Sequence, residues 1–392
     1  LLLKEKYGAQ VTAITMGPPD AERALREALA MGCDEAILLT DKAFAGSDTW
    51  ATSRVLAAAI QHIGDVDLIL AGERATDGDT GQVGPEVASW LGIAVLTYAS
   101  SLEIEFPPMN SAENKIKPTA VQARRLVEEG YQVVHSPTPC LITVVKEIAS
   151  PRLPTLRGKK YARTAQIMCW EANDLGLDPS SIGLAGSPTR VVKIFYPKVT
   201  RNGKRIVAND EKSINDAIDE IIAIFEDKGI IRISAATTAL SFTTSDSPST
   251  IGPSLKSALL LPSTSTPDLS TLQTVEAEKD CTKPEFWIIA ERHSDRLDSV
   301  SYELLARARY LTDKRGAILV AIVLAPCVPD EEARALISYG ADRVIALEDP
   351  CLQDFVCETW ADVLIQLIQT RKPEVILGAA TTTGRTLMPY LA

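Results

Sequence analysis

Short apolar runs alternate with amphipathic helical segments along most of this chain, and the alternation occurs twice. The first series contains the runs Val11–Ile14, Glu35–Leu39 and Leu68–Leu70, and the second extends from Phe286–Ala290 to Glu374–Leu377. Such runs are typical of parallel strands in a sheet that helices cover on both faces. The sequence therefore predicts an α/β protein with two doubly wound parallel-sheet domains.

The two series are related by a nearly constant spacing. Three motif pairs show it: Gly8-Ala9 precedes Gly316-Ala317 by 308 positions, Gly32-Cys33-Asp34 precedes Gly340-Ala341-Asp342 by 308, and Leu68-Ile69-Leu70 precedes Val375-Ile376-Leu377 by 307. A register that holds over so many residues indicates two homologous domains rather than a short-period solenoid.

Further strands are predicted after Leu91, where the helical periodicity stops. The predicted strands are 95–98, 102–105, 120–126, 131–134 and 141–145, and Glu128-Glu129-Gly130 is typical of a hairpin turn. We expect this part to be antiparallel and to extend the first domain.

Composition excludes several classes of function. The net charge of −11 disfavours a general binder of nucleic acid or of membrane surfaces. The seven cysteines form no CxxC pair and the three histidines are far apart, so neither a disulfide framework nor a metal site is indicated. There is no apolar run of transmembrane length and no signal peptide, and we expect a cytoplasmic protein without membrane insertion.

A polar, glycine-rich stretch from Ala71 to Pro85 joins a predicted strand to a predicted helix. The first turn of a helix has unpaired N–H groups and the positive end of the dipole, which together favour an anion. Gly78, Gly81 and Gly84 allow close backbone approach, and Thr80 and Gln82 offer hydrogen bonds. The spacing matches neither the P-loop nor the Rossmann pattern, so the residues alone leave open a phosphate site or an ordinary loop.

The wording of this stretch resembles a family signature. Asp77–Pro85, "DGDTGQVGP", followed by "ASWLGI", is similar to the beta subunit of electron transfer flavoprotein. The resemblance implies a loop that holds the phosphates of AMP or, in electron-bifurcating members, of a second FAD. The implied cofactor-binding residues are Met16 and Gly17 beside the adenosine part, Arg74 against phosphate charge, and Asp77, Gly78, Asp79, Thr80, Gly81, Gln82, Val83 and Gly84 around the phosphates.

A second stretch, from Ala149 to Lys160, has prolines and basic residues typical of an exposed loop. It resembles the recognition loop with which the family docks on partner dehydrogenases. The implied partner-binding residues are Arg152, Leu153, Pro154, Thr155 and Leu156, with Leu156 as the apolar anchor. A small apolar anchor ringed by charge suits a brief electron-transfer contact with acyl-CoA dehydrogenase-type flavoproteins.

The second series resembles the N-terminal domain of the alpha subunit of the same family, through "FWIIAERHSDRLDSVSYELLARA" and "ILGAATTTGRTLMP". Its loop, Ala380–Leu387, lacks the Asp-Gly-Asp element, which favours a structural role. Between the two domains, 18 of the 38 residues from 237 to 274 are Ser or Thr, as in a flexible linker. The expected parts are a beta-type nucleotide domain (1–205), the beta C-terminal arm (206–235), the linker (236–283) and an alpha-type domain (284–392), with adenine nucleotide alpha hydrolase-like folds.

The resemblance implies an electron carrier rather than a substrate-converting enzyme, and no acid–base or nucleophilic set contradicts this. In the family, the electron-carrying FAD lies in the C-terminal domain of the alpha subunit, beyond the part seen here. We expect that FAD domain as a partner, and an opening strand of the first sheet among residues preceding Leu1. The alternatives are an adenine-nucleotide-binding module without redox activity and a purely structural fragment.

Overall fold

A computed structural model describes residues 1–75, 78–107, 117–128, 130–193, 210–227, 274–275, 283–293 and 296–392. Leu1–Arg190 and Thr266–Ala392 together form one compact unit, and Val191–Ser265 form another. Both predicted α/β domains therefore lie within the first unit.

The first domain alternates strands and helices as predicted. In chain order its elements are α1 (Leu2–Tyr7), β1 (Thr12–Met16), α2 (Glu22–Met31), β2 (Glu35–Leu39), α3 (Thr49–Ile63), β3 (Leu68–Gly72), α4 (Val83–Leu91), β4 (Ala94–Glu105), β5 (Ala120–Val127), β6 (Gly130–Pro137), β7 (Cys140–Val144), α5 (Leu156–Thr164), β8 (Met168–Trp170) and α6 (Gly183–Gly186). The helix ends follow capping chemistry: the Asp48 side chain accepts a hydrogen bond from Ala51 N at the start of α3, and α4 ends at Gly92 in the left-handed conformation.

The strands of this domain form two sheets. One has the order β1-β2-β8 and is parallel, and the other has the order β3-β7-β4-β5-β6. The prediction that 141–145 belongs to the antiparallel part is wrong, because β7 runs parallel to both β3 and β4. Its run of buried residues, Cys140–Ile142, is what a central parallel strand requires. Only β4, β5 and β6 form the predicted antiparallel extension.

One helix is described in the second compact unit. This helix, α7 (Glu211–Asp227), lies within the predicted C-terminal arm, 206–235, and begins where Ser213 N donates to Asp210 Oδ1 at 2.7 Å. Ile214, Ile218, Ile221 and Phe225 are exposed along one stripe of it.

The second domain repeats the alternation of the first. Its elements are β9 (Thr274–Val275), β10 (Glu285–Ala290), β11 (Arg292–His293), β12 (Arg296–Leu297), α8 (Ser299–Arg315), β13 (Ile318–Ala325), α9 (Asp330–Ser338), β14 (Arg343–Glu348), α10 (Cys357–Arg371), β15 (Val375–Leu377) and α11 (Thr382–Leu391). The sheet order is β15-β10-β13-β14-β9, parallel except for β9. The predicted fold class, two α/β copies with parallel-sheet cores, is confirmed.

The spacing found in the sequence pairs β1 with β13, β2 with β14 and β3 with β15. In the second domain, β10 lies between β13 and β15. In the first domain, β1 pairs only with β2 and β3 pairs only with β7 among the described strands. No described strand of the first domain therefore lies between β1 and β3, where β10 lies in the second. The Leu70 side chain on β3 is accordingly 51% exposed.

The two domains share one core. Val87 of α4, Trp287 of β10 and Leu387 of α11 belong to the same cluster of buried apolar side chains. The equivalent helices α4 and α11 face each other, and Ser89 Oγ donates to Tyr390 O at 2.9 Å. The glycine-rich loop before α4 therefore lies in the first domain, which packs against the second, homologous domain.

Three local predictions need correction or lie outside the described residues. Leu156 does not lie in a loop but begins α5, whose N-cap Thr155 accepts from Gly158 N at 2.9 Å. The helix was missed because its sequence, LRGKKYART, is strongly polar and has few apolar residues to mark a buried face. Glu129 of the predicted hairpin turn lies outside the described residues. Thr274 and Val275, in the predicted linker, pair with β14, whereas 236–273 and 276–282 are not described.

Candidate nucleotide-binding site

The glycine-rich loop lies at the carboxyl end of β3 and leads into α4. In open parallel sheets, ligands bind in crevices at this end of the strands. Thr76 and Asp77 lie outside the described residues, so the role of Asp77 stays a prediction. The described part of the loop comprises residues 73–75 and 78–82.

Two glycines of the loop are required for different reasons. Gly81 has φ +72, and a Cβ there would lie 3.4 Å from Glu73 O and 3.5 Å from the Tyr98 hydroxyl. Gly84 lies in the first turn of α4, and a Cβ there would overlap the Thr143 side chain of β7. Gly81 therefore shapes the loop, while Gly84 allows the helix to pack on the sheet. A Cβ at Gly78 would have open space, so the close-approach argument does not depend on it.

Arg74 is held between two carboxylates of the same loop. Its guanidinium lies 3.2 Å from Asp79 Oδ1 and 3.5 Å from Glu73 Oε1, and the charges of Asp79 and Glu73 raise the pKa of Arg74. Asp79 itself has φ +52, an uncommon value outside glycine, and its N–H donates to Ala75 O at 2.9 Å. A phosphate at this loop would compete with Asp79 for the guanidinium.

The N-terminus of α4 offers its first N–H groups to a ligand. The residue at the N-cap, Gln82, makes no side-chain capping hydrogen bond, and Gly81 and Val83 flank it. Unpaired N–H groups at a helix start form an anion site. The described residues therefore fit a phosphate group: a helix start that the Gln82 side chain does not cap, a left-handed turn at Gly81, and a cation within the loop.

Glu86 is a buried carboxyl in the first turn of α4 that sequence analysis missed. It is 3% exposed, its Oε1 accepts from Thr49 Oγ1 of α3 at 3.0 Å, and its Oε2 has no hydrogen-bond partner among the described residues. Burial raises the pKa of Glu86 to about 6. The available signal was an acidic residue among Pro85, Val87 and Ala88, which are all buried.

Met16 and Gly17, expected beside the adenosine part, follow a different strand. They end β1, where Gly17 N donates to Leu39 O at 3.0 Å and a Cβ on Gly17 would lie 2.9 Å from Ala21 Cβ. No hydrogen bond between described residues joins them to the loop, so their role as nucleotide ligands stays a prediction.

The predicted docking surface carries two exposed leucines. The Leu153 side chain is 90% exposed and that of Leu156 is 89% exposed. Arg152 is already paired, with Nη2 2.8 Å from Glu5 Oε2 of α1. The surface therefore offers two apolar side chains close to a neutralised arginine, with Thr155 and Pro154 holding the turn before α5.

The corresponding loop of the second domain is closed by protein carboxylates. Thr382 N and Oγ1, at the start of α11, both donate to Glu128 Oε1 of the first domain, the hydroxyl at 3.0 Å. Thr381 Oγ1 donates to Glu291 Oε1 at 2.6 Å and accepts from Gly384 N at 3.0 Å. The place that an anion would take at this helix start already holds a carboxylate, as suits a structural loop.

Comparison with known proteins identifies the class of protein as electron-transfer flavoproteins. The family model described as "Electron transfer flavoprotein domain" matches residues 1–175 and 286–392. The chain belongs to this family. Among its relatives, the caffeyl-CoA reductase-Etf complex subunit CarD of Acetobacterium woodii is 41% identical over 227 residues, 58% of this chain and 81% of that protein.

Other relatives match a similar share of the chain. The electron transfer flavoprotein subunit beta of Clostridium acetobutylicum is 40% identical over 231 residues, 59% of this chain and 83% of that protein. The protein FixA of Bradyrhizobium diazoefficiens is 39% identical over 224 residues, 56% of this chain and 75% of that protein. These matches support a general role in electron transfer. No helix among the described residues is long and apolar enough to cross a membrane.

Proposed function

We propose that this chain is a beta-type electron transfer flavoprotein domain joined to an alpha-type domain, and that it holds AMP or FAD at the loop before α4. The observation that carries the proposal is the start of α4, which no Gln82 side-chain hydrogen bond caps, beside the Gly81 turn, in a family of flavoproteins. The expected division is 1–205 for the beta-type domain, 206–235 for its arm, 236–283 for the linker and 284–392 for the alpha-type domain.

Each part of the site has a separate task. The first N–H groups of α4 bind phosphate oxygens, and Arg74 balances part of their charge while it remains near Asp79. Because Gly81 has no side chain, a phosphate can approach the backbone of this turn closely. A bound flavin supplies the electron-transfer chemistry, and the protein supplies binding, orientation and electrostatics.

The electron donor we propose is a flavoprotein dehydrogenase of the acyl-CoA type, docked on Leu153 and Leu156. Two relatives support this class by their names: one is a subunit of a caffeyl-CoA reductase-Etf complex, and one is the acryloyl-CoA reductase electron transfer subunit gamma of Anaerotignum propionicum. We propose that the electron-carrying FAD belongs to the alpha FAD domain of the complete assembly. The proposal includes an assembly that is part of an electron-bifurcating complex.

A pair of glycine variants tests the nucleotide site. Gly81 and Gly8 have nearly the same left-handed φ, +72 and +71, but a Cβ at Gly8 meets open space. Gly81→Ala and Gly8→Ala therefore carry similar backbone strain, of about 1 kcal/mol, and only the first places a methyl group against Glu73 O and the Tyr98 hydroxyl inside the loop. We expect AMP and FAD affinity, measured by titration calorimetry, to fall at least about tenfold in Gly81→Ala alone. Equal affinity for AMP and FAD in the two variants would show that the loop is not part of the nucleotide site.

A further inference from the structure

We infer that the Tyr98 hydroxyl donates a hydrogen bond to a phosphate oxygen of the nucleotide bound at the loop before α4. The inference rests on the proposed function and adds to it a residue that lies on a different strand from the loop. Tyr98 is in β4, at the irregularity where the pairing of β4 with β7 changes register between Leu96 and Ala99.

The backbone at Tyr98 is held in an unusual conformation. Its φ is +57, and its N–H donates to Thr143 Oγ1 of β7 at 3.0 Å. A bulky L-residue rarely adopts this region, and such residues persist where the surroundings fix them, frequently at ligand sites. A bulge next to a site is also a known way to re-aim one side chain of a strand. The bulge in β4 lies at Tyr98, and the phenol of this residue is directed to the glycine-rich loop.

The hydroxyl of Tyr98 is buried and lacks a hydrogen-bond partner among the described residues. It lies 3.5 Å from where a Cβ of Gly81 would be. Buried hydroxyls in folded proteins are paired as a rule, because an unpaired one loses its hydration without compensation. A ligand atom at the Gly81 turn would lie where it can form the missing hydrogen bond with this hydroxyl.

The electrostatic setting selects an anionic acceptor. The phenol lies within electrostatic range of two guanidinium groups, those of Arg74 in the loop and of Arg125 in β5. Arg125 is 4% exposed and donates to Thr97 Oγ1 at 2.8 Å, so its guanidinium is held beside the residue that precedes Tyr98. A phosphate oxygen accepts from a phenol O–H and is attracted by Arg125 and by Arg74, which it would share with Glu73 and Asp79, whereas a nucleoside hydroxyl gains little from these cations.

The test compares a nucleotide with its nucleoside on the nucleotide-free, full-length chain. Tyr98→Phe deletes the hydroxyl, and Tyr310→Phe, on a tyrosine of α8 that is 60% exposed, is the matched control. Titration calorimetry measures AMP, FAD and adenosine. We expect Tyr98→Phe to weaken AMP and FAD binding roughly tenfold to a hundredfold, with adenosine affinity changed less than about twofold and the control unchanged.

A second readout concerns the protein without nucleotide. Because the hydroxyl has no hydrogen-bond partner among the described residues, Tyr98→Phe is expected to unfold at the same or a higher temperature than the wild type. A clearly lower temperature would show a protein partner and overturn the inference, as would unchanged AMP and FAD affinity or an equal loss for adenosine. A wild type that binds neither AMP nor FAD would instead refute the proposed function itself.

Discussion

Glu86 gives a prediction whose magnitude follows directly from its burial. The carboxyl is 3% exposed, and burial raises its pKa from 4.5 to about 6. The folded state therefore binds a proton more tightly than the unfolded state, and ionisation of Glu86 destabilises the fold as pH rises through this window. A pKa difference of 1.5 corresponds to about 2 kcal/mol between pH 4 and pH 8, and somewhat more than half of it falls between pH 5 and pH 8.

The measurement is the free energy of unfolding of wild type and Glu86→Gln in urea at several pH values. Other groups titrate in both proteins, so the difference between them isolates Glu86. We expect Glu86→Gln to gain stability relative to wild type by about 1 kcal/mol from pH 5 to pH 8. Glu303→Gln, at an exposed position of α8, controls for the exchange of a carboxylate for an amide. A difference that stays constant, or one that shrinks as pH rises, would refute the reasoning.

Two further predictions concern the contact between domains and the docking surface. Glu128→Ala leaves Thr382 N and Oγ1 without their acceptor, so the free energy of unfolding in urea should fall by about 1–3 kcal/mol. Glu128→Gln keeps an acceptor oxygen and should lose less, and equal losses in the two variants would contradict the stabilising role of these hydrogen bonds. Leu156→Ala should change the free energy of unfolding by less than about 0.5 kcal/mol but weaken binding of an acyl-CoA dehydrogenase-type flavoprotein in surface plasmon resonance. Leu2→Ala, at another exposed leucine, should leave this binding unchanged. Equal binding by both variants would show that Leu156 is not part of the docking surface.

Much of the fold could be predicted from the sequence because the repeat and the apolar runs are local signals. The run Glu35–Leu39 forms β2 with the predicted limits, and 375–377 forms β15 within the predicted strand 374–377. The place of β7 could not be predicted in this way, since periodicity identifies a strand but not its neighbours. The helix that begins at Leu156 was missed because capping by Thr155 and packing, rather than an apolar stripe, stabilise it.

The candidate site was predictable only in part, for a related reason. The loop itself is contiguous, so glycine spacing and the following helix point to it. Glu86 and Tyr98 gain their significance from tertiary packing: Glu86 meets Thr49 across two helices, and the Tyr98 phenol meets Gly81 from another strand. The contact of Glu128 with Thr382 joins residues 254 positions apart, which no local pattern reports.

The central claim is that the first domain holds one nucleotide of the electron transfer flavoprotein type, and the nucleotide released from the purified chain tests it most directly. The chain is denatured, and the supernatant is identified and quantified by chromatography and absorbance. We predict AMP or FAD at about one equivalent per chain, because the matching place in the second domain holds the Glu128 carboxylate. Release of ATP would favour a nucleotide module without redox activity, and release of no nucleotide, or of two per chain, would contradict the account.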